Sequence, residues 1–333
     1  MEIKYDWLNE VKEEIEDPDL KICDPHHHLW DFPGNRYLID ELVADLQSGH
    51  NVVSTVFMEC GVMYNVDAPS GLQPVGETEF ANGVAAMAAS GAYGSLRACA
   101  GIVGFADLCL GEQVGEVLDA HIAASTRFRG IRHAVGWDRS NGIRNSHTNP
   151  KESLLLDKKF REGFKELGIR GLSFDAWLYH PQLDELIDIA RAFPHTTIIL
   201  DHFGGPLGID KYRGRREEIF EVWKHQIEDL SKCPNVVAKL GGLVMPINGF
   251  DFHRQASPPD SDAIVRATGA YYRQVIDCFS PDRCMFESNF AVDKQSTSYH
   301  VLWNAFKKMT SDFSPDEKYD LFYGTAARVY RLD

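Results

Sequence analysis

The chain has 333 residues, of which 44% are hydrophobic and 25% charged, a composition typical of a soluble globular protein. No apolar run approaches the ~20 residues that a membrane-spanning helix needs, so no membrane partner is expected. Acidic side chains outnumber basic ones by 49 to 34, which gives a net charge of −15 and argues against a nucleic-acid partner. Beyond that, the acidic balance indicates only that the protein is readily dissolved in water.

Part of the acidic excess lies at the N-terminus, where acidic side chains far outnumber lysines. This stretch has no basic segment followed by an apolar one, so it does not resemble a secretory signal. The seven cysteines include no C-x-x-C pair, and their odd number is typical of reduced thiols in a cytoplasmic protein. We expect a cytoplasmic protein with an acidic extension at residues 1–20 and one folded domain at 21–333.

Short runs rich in Val, Ile and Phe alternate with longer amphipathic stretches along the chain. Most of these runs are continuously apolar, as in parallel strands that are covered on both faces. They predict eight strands, at 21–29, 52–60, 98–106, 128–135, 171–178, 196–203, 235–243 and 282–290. The amphipathic stretches predict helices at 79–90 (with Thr78 as N-cap), 112–125, 157–167, 182–193, 215–231, 261–279, 297–310 and 315–330 (with Ser314 as N-cap). This alternation predicts an α/β fold, a single (β/α)₈ barrel.

Three predicted loops, at 61–78, 137–156 and 244–260, are longer than a simple connection requires. Each follows a predicted strand. In a (β/α)₈ barrel the loops after the strands cover the end that carries the active site. We expect 61–78 and 244–260 to be lids over that site.

The densest group of metal-ligating side chains is Asp24-Pro25-His26-His27-His28 on the first predicted strand. Residues two apart in a strand share a face, so His26 and His28 project together and His27 projects opposite. At the mouth of a barrel, two imidazoles at this spacing suit a divalent metal ion. Packing at a strand end is the simpler alternative, but three consecutive histidines favour a metal site.

A second cluster stands at the end of the sixth predicted strand, TTIILDHFGG. This strand is apolar until Asp201 and His202, which are followed by Phe203 and two glycines. Barrel enzymes keep catalytic groups at this end of their strands, although an Asp-His pair can also cap the next helix. We expect His202 to join His26 and His28 as a third imidazole facing the lumen.

Four motifs in this order resemble the amidohydrolase superfamily: H-x-H at His26, D-H-x-G at Asp201, K-L-G-G at Lys239 and C-M-F-E-S-N-F at Cys284. The resemblance extends from residue 21 to the segment GTAARVYRL, and it is to the amidohydrolase 2 branch of TIM-barrel metal-dependent hydrolases. That branch includes sugar lactonases, a pyrone-dicarboxylate lactonase and a sulfomuconolactone hydrolase. The resemblance implies a barrel hydrolase that acts on a small molecule.

The resemblance also implies roles for individual positions. His26, His28 and His202 match histidines that bind a divalent metal, for which zinc is the implied ion. Arg132 matches an arginine that faces the substrate's carbonyl or carboxylate. Lys239 matches a lysine of the branch and is expected in the substrate site.

Asn289 departs from the family pattern, because most members carry there the aspartate that activates the attacking water. By strand parity the Glu287 side chain points to the same face as Asn289, one level deeper in the barrel. The catalytic carboxylate can therefore have moved from position 289 to position 287. The alternative is that Glu287 is a buried ion pair with Lys239, since a buried carboxylate needs a partner. As catalytic bases we rank Glu287 first, then Asp293, then Asp201. The same departure leaves open a metal-free mechanism, which some members of the branch use.

Other side chains near the ends of predicted strands complete an expected substrate pocket. They are Glu59, His133, Asp175, Trp177 and His180. By parity Asp175 and Trp177 share a face. Packing is an alternative explanation for Trp177, and His180 can simply start a helix.

We therefore expect a hydrolase in which water attacks a lactone or a related cyclic ester or amide, with the carbonyl polarised by a metal ion or by Arg132. One alternative is a metal-dependent decarboxylase of an aromatic acid. Asn289 counts against it, because such relatives use the aspartate. The other is a binding protein on a decayed enzyme scaffold, against which the three retained histidines count. The exact substrate is not fixed by the sequence, and a homo-oligomer stays open.

Overall fold

The computed structural model describes residues 3–332 and is built around a sheet of eight parallel strands. The strands pair in the order in which they occur along the chain. The barrel strands are β1 (Lys21–His27), β4 (Asn51–Met58), β5 (Arg97–Gly104), β6 (Phe128–Ile131), β7 (Ser173–Ala176), β8 (Ile198–Leu200), β9 (Val236–Leu240) and β10 (Cys284–Phe286). All eight predicted strands are confirmed. A separate antiparallel hairpin, β2 (Trp30–Phe32) and β3 (Asn35–Tyr37), was not predicted.

The barrel closes between the segments that follow β1 and β10. The backbone N–H of His28 donates to the carbonyl oxygen of Phe290 at 2.7 Å. The backbone N–H of Asn289 donates to the carbonyl oxygen of His26 at 3.0 Å. The fold is therefore the predicted (β/α)₈ barrel, and its closure holds the first and last strand motifs side by side.

Helices cover the outside of the barrel. They are α1 (Tyr5–Leu8), α2 (Ile39–Leu46), α3 (Val75–Ala89), α4 (Val114–Ala124), α5 (Lys158–Ile169), α6 (Leu183–Ala192), α7 (Arg216–Ser231), α8 (Ser261–Phe279), α9 (Tyr299–Met309), α10 (Pro315–Tyr319) and α11 (Thr325–Tyr330). The predicted helices are found in their expected places, and the Ser314 hydroxyl caps α10 by accepting from the backbone N–H of Glu317. Helix α2, which follows the first barrel strand and its hairpin, was not predicted.

Two predicted helix boundaries are wrong. Helix α3 begins at Val75 rather than after Thr78, whose hydroxyl instead lies 2.8 Å from Nδ1 of His121. The predicted final helix is interrupted by a π-helical turn at Asp320–Gly324 between α10 and α11. Both differences arise from tertiary contacts and backbone geometry that the apolar periodicity does not encode.

The apolar core has two principal parts. The larger lies between the barrel and the surrounding helices, and the smaller lies within the barrel. Side chains of the inner core include Cys23, Val56, Ile199 and Met285, against which Tyr330 of α11 packs. This inner core supports the polar groups nearer the mouth of the barrel.

Residues 3–20 lie against α8 and α9. The Glu13 carboxylate accepts from the backbone N–H of Ser261 at 2.7 Å and from the Asn304 amide at 2.9 Å. Lys307 donates from Nζ to the carbonyl oxygen of Glu16 at 2.8 Å. These hydrogen bonds attach the acidic segment to the helical layer. Within residues 3–332, none of the helices has the length and apolar content needed to cross a membrane.

Candidate active site

Three histidines meet at the mouth of the barrel. His26 is in β1, His28 directly follows that strand, and His202 follows β8, where its φ of 51° lies in the left-handed region. The His26 ring lies 4.9 Å from the His28 ring and 4.5 Å from the His202 ring, measured between centroids. His27 points to the other side, as predicted, where its Nε2 lies 2.8 Å from the Thr55 hydroxyl.

Burial favours the neutral form of the three clustered imidazoles. Burial lowers the pKa of His26 and His28 well below the usual value, and it lowers the pKa of His202 to about 3. Nδ1 of His28 lies 2.8 Å from the carbonyl oxygen of Met58. A carbonyl only accepts, so Nδ1 carries the proton and Nε2 keeps a lone pair. Neutral imidazole is the form that binds metal ions.

Glu287 lies between two of these rings. Its Oε2 is 2.6 Å from Nδ1 of His26, and its Oε1 is 2.6 Å from Nδ1 of His202. Neither carboxylate oxygen makes a hydrogen bond of acceptable geometry to a described residue, and the side chain is fully buried. Burial raises the pKa of Glu287 to about 8, an effect that the charge of Lys239 opposes.

The chemistry of this donor set fits a metal ion. The potential ligand atoms of His26, His202 and Glu287 all lie within 4.8 Å of one another. Two imidazole nitrogens and a carboxylate oxygen are donors that zinc accepts. The ligand set predicted from the sequence has His28 where this group has Glu287. His28 lies on the opposite side of the His26 ring, with its Nε2 3.2 Å from Nε2 of His26, whereas Glu287 approaches Nδ1 of that ring.

Lys239 lies in a buried ionic group below the histidines. Its Nζ is 2.7 Å from Asp175 Oδ1 and 3.3 Å from Asp201 Oδ1. Burial would lower the pKa of Lys239, but these two carboxylates outweigh it and raise that pKa. The Tyr330 hydroxyl donates to Asp175 Oδ1 at 2.5 Å. Lys239 thus makes its direct ion pairs with Asp175 and Asp201, while its charge also favours the ionised form of Glu287.

Arg132 is fixed in the same layer by Glu59. Its Nε lies 2.7 Å from Glu59 Oε1, and its Nη2 donates to the Glu59 carbonyl oxygen at 2.5 Å. Burial would raise the pKa of Glu59, but Arg132 and His147 outweigh it and hold that pKa at about 2. Nη1 faces the histidines, 3.3 Å from Nε2 of His26. Arg132 thus presents one nitrogen, not a two-nitrogen fork, toward the site.

Asn289 and Asp293 form a pair beyond the end of β10. The Asn289 amide donates to Asp293 Oδ1 at 3.1 Å, and the φ of Asn289 is 54°, in the left-handed region. Asn289 lines the substrate cavity, whereas Asp293 is fully buried behind it. Burial raises the pKa of Asp293 well above its usual value, against the effect of the Asn289 hydrogen bond. Asp293 is therefore poorly placed to reach a water in the cavity.

A cavity of about 640 Å³ opens above this cluster. Its floor includes His28, Arg132, His202 and Asn289. Its walls carry aromatic and apolar side chains, namely Trp30, Phe32, Trp177, Tyr179, Ile209, Met245 and Ile247. The predicted loops 137–156 and 244–260 both contribute lining residues, whereas 61–78 contributes none of the lining found within residues 3–332. A lid role is therefore supported for 244–260 and not for 61–78.

Five predicted pocket residues are absent from the cavity lining found within residues 3–332. Three of them, Glu59, Asp175 and Lys239, are fully buried, and the other two are histidines that lie elsewhere. His133 packs between phenylalanine rings and accepts from the backbone N–H of Leu108 at 3.3 Å. His180 accepts from the backbone N–H of Leu207 at 3.2 Å and packs edge-on against Tyr212. Neither lines the cavity, so substrate contact is not supported for these two histidines. Both histidines lie near strand ends, where a side chain can point away from the barrel axis or pack against a loop instead of entering the cavity.

The sequence analysis missed His147. This residue lies in the 137–156 loop, lines the cavity and places Nε2 3.0 Å from Glu59 Oε2. A single histidine in a polar loop carries no periodic signal, and its partner is 88 residues away in the chain. Only the length of the loop indicated that this segment reaches the site.

The barrel, the clustered histidines and the cavity above them together define a (β/α)₈ enzyme. A family model for amidohydrolases matches residues 23–332. An uncharacterized protein, y4mH of Sinorhizobium fredii, is 34% identical over 94% of this chain and 99% of its own length. The chain belongs to the amidohydrolase family and is a hydrolase, and the resemblance seen in the sequence is confirmed.

Two further proteins are similar at lower identity. An L-fucono-1,5-lactonase from Burkholderia multivorans is 27% identical over 70% of this chain and 72% of its own length. A crystal structure of an amidohydrolase from Burkholderia multivorans with bound zinc is 22% identical, with a TM-score of 0.70, and covers 94% of this chain and 99% of that chain. The structural likeness confirms the barrel fold.

Proposed function

We propose that this chain hydrolyses a lactone or a related cyclic ester with the help of a divalent metal ion held by His26, His202 and Glu287. The observation that carries the proposal is the position of the Glu287 carboxylate. Its two oxygens each approach an imidazole Nδ1 at 2.6 Å, yet neither makes a hydrogen bond of acceptable geometry. A cation bound between these groups would supply the partner that the Glu287 oxygens lack.

The similarity to an L-fucono-1,5-lactonase supports a lactone as the substrate. The cavity supports it as well, because aromatic walls such as Trp177 and Tyr179 suit the faces of a ring. A bound divalent ion would polarise the carbonyl and lower the pKa of a water molecule. That chemistry reduces the need for the aspartate that Asn289 replaces.

The chain's own residues orient the reactants around this centre. Arg132 directs Nη1 toward His26 at 3.3 Å, where it can donate to a carbonyl oxygen above the cavity floor. Glu59 holds that guanidinium in place through Nε and Nη2. Asp201 lies 3.9 Å from His26 and from Arg132 and adds negative charge below the site. Glu287 thus serves as a ligand, rather than as the base that the sequence analysis ranked first.

The proposal is tested with protein purified without chelator. We expect elemental analysis to find about one divalent ion such as Zn²⁺ per chain. We also expect the protein to hydrolyse some members of a panel of five- and six-membered lactones, with the reaction monitored by pH-stat titration. Removal of the ion should abolish turnover, and returned Zn²⁺ should restore it. Undiminished turnover after removal would support the metal-free mechanism instead. Failure of the metal-loaded protein to open any lactone would contradict the lactonase assignment.

A further inference from the structure

We propose that His147 is the proton donor to the leaving oxygen when the ring opens. This inference rests on the proposed lactone hydrolysis and adds a catalytic group to it. Ring opening creates an alkoxide, which is a poor leaving group unless it is protonated as the bond breaks. The enzyme therefore needs a titratable side chain that reaches the cavity.

Most titratable groups that line the cavity are already engaged. His28 and His202 belong to the histidine cluster on the floor, and Cys60 donates from Sγ to the carbonyl oxygen of Leu29 at 3.4 Å. The Tyr179 hydroxyl donates to the carbonyl oxygen of Arg144 at 2.5 Å. The protons of Cys60 and Tyr179 are therefore directed at the backbone rather than at a ligand in the cavity.

The only carboxylate in the described lining is also engaged. Asp251 places Oδ2 3.2 Å from Arg213 and Oδ1 3.7 Å from Arg254. The lining arginines do not release protons at physiological pH. The chemistry of the cavity wall therefore leaves His147.

His147 has the arrangement that such a donor needs. Its Nε2 lies 3.0 Å from Oε2 of Glu59, which is fully buried and also bound by Arg132. An ionised carboxylate only accepts, so Nε2 carries a proton and the ring is held in one orientation. Nδ1 makes no hydrogen bond within the described chain, so it is the nitrogen available to a ligand. The side chain is 34% exposed, which gives it contact with both cavity and solvent.

Contacts through Glu59 and Arg132 connect His147 to the histidine cluster. Glu59 binds His147 through Oε2 and Arg132 through Oε1, and Arg132 Nη1 lies 3.3 Å from Nε2 of His26. One buried carboxylate therefore positions both the group that faces the carbonyl and the proposed proton donor. This shared partner sets the two groups at a fixed separation across one substrate.

The proposed step is balanced. In the tetrahedral intermediate the bond from carbon to ring oxygen breaks, and its electron pair stays on that oxygen. The proton on Nδ1 of the imidazolium form of His147 transfers to the same oxygen. The products are a hydroxy acid and a neutral imidazole, which regains a proton from solvent. The proton that the attacking water loses passes to solvent, so the protons balance and water is the only co-reactant.

The test compares two lactones with the same ring size. One is a saturated six-membered lactone, whose leaving group is an alkoxide, and the other is its benzo-fused counterpart, whose leaving group is a phenoxide. For the His147→Gln variant, kcat on the alkyl lactone should fall by about 10²–10⁴-fold, and kcat on the aryl lactone by less than about tenfold. Gln can still donate to Glu59, so the loop contact is kept.

A second variant and a control sharpen the result. Imidazole added to His147→Ala should restore part of the turnover of the alkyl lactone. His225→Gln, which changes an exposed histidine on α7 paired with Glu228, should leave both rates unchanged. Equal losses on the two lactones, or no loss on either, would overturn the role of His147 while leaving lactone hydrolysis intact. The pair is taken from lactones that the unmodified enzyme opens. If the enzyme opens no lactone of the panel, the proposed function fails and this inference fails with it.

Discussion

Two groups of buried charges lie one above the other in the barrel, and they differ in how they are satisfied. In the lower group, Lys239 binds Asp175 at 2.7 Å and Asp201 at 3.3 Å, so a cation of the chain faces its carboxylates. In the upper group, the side chains that approach the Glu287 carboxylate directly are imidazoles whose pKa burial has lowered. The lower group has a counter-charge from the chain itself, and the upper group would gain one from an added cation. The comparison separates charges that hold the fold from charges that bind.

Replacing the cation of the lower group should have the largest effect. Lys239→Met leaves Asp175 and Asp201 buried without a counter-charge, and we expect the free energy of unfolding to fall by about 3–5 kcal/mol. Urea denaturation measures it. Lys232→Met removes an exposed lysine that binds Asp229 and should change stability by less than about 1 kcal/mol. Equal stabilities of the two variants would contradict the structural role of the lower group.

Replacing the acid of the upper group should affect activity more than stability. Glu287→Gln keeps the shape but loses the charge, and we expect kcat/KM on a lactone to fall by about 100-fold or more, which is about 3 kcal/mol. Bound zinc should fall as well. The metal-free variant should be as stable as the metal-free parent or more stable, because a buried carboxylate is removed. Glu218→Gln, an exposed change on α7, is the control. Unchanged zinc content in Glu287→Gln would contradict the assigned ligand.

Glu59 belongs with the charges that have counter-charges within the chain, and its contribution to the free energy of unfolding should be measurable at acidic pH. Its pKa is about 2 in the folded chain against an ordinary value of 4.5. The stability that ionised Glu59 contributes is therefore complete above pH 4.5 and is lost as the pH falls toward 2. In denaturation experiments between about pH 5 and pH 3.5, Glu59→Gln should show a shallower loss than the parent. Glu152→Gln, which changes an exposed partner of Arg139, should keep the parent slope. Parallel slopes for Glu59→Gln and the parent would show that Glu59 is not specially stabilised.

The smallest effect is expected at Asn289. Asn289→Asp removes the amide donor to Asp293 and sets two carboxyl groups against each other, at a cost of about 1–2 kcal/mol of stability. Because Glu287 supplies the carboxylate of the site, we expect no gain in kcat/KM. Thermal denaturation and initial rates measure the two effects. A clear increase in activity would mean that position 289 remains the natural place for the acid and that Glu287 has not replaced it.

The barrel could be predicted because its strands are continuous apolar runs, a pattern that the burial of both faces imposes. The hairpin at Trp30–Phe32 and Asn35–Tyr37 was missed because strands of three residues are too short to show a period. Helix α2, between that hairpin and the next barrel strand, was missed with it. The boundary at Thr78 was misjudged because a threonine that caps a helix and one that binds a distant histidine look alike in sequence.

The directions in which the site's side chains point could be predicted from the sequence better than the contacts that they make. Strand parity correctly placed His26 and His28 together and Glu287 inward. It could not say which inward neighbour Glu287 meets, because that depends on side-chain length and on the level at which each strand stops. Lys239 therefore makes its direct ion pairs with carboxylates in β7 and after β8 rather than with the one after β10. Arg132 and its partner Glu59 are 73 residues apart, so their pairing had no local signal.

The backbone at Asn289 bears on how this enzyme can diversify. Its φ of 54° lies in the left-handed region, which asparagine and aspartate enter more readily than most residues. An exchange between these two therefore keeps the backbone conformation of the loop after β10 accessible, at the cost of the Asp293 hydrogen bond, while it adds or removes a charge at the cavity floor. One substitution can therefore exchange the acid and the amide at position 289 during evolution, provided that another carboxylate such as Glu287 is already present. The order in which two such changes arise is then constrained by chemistry more than by folding.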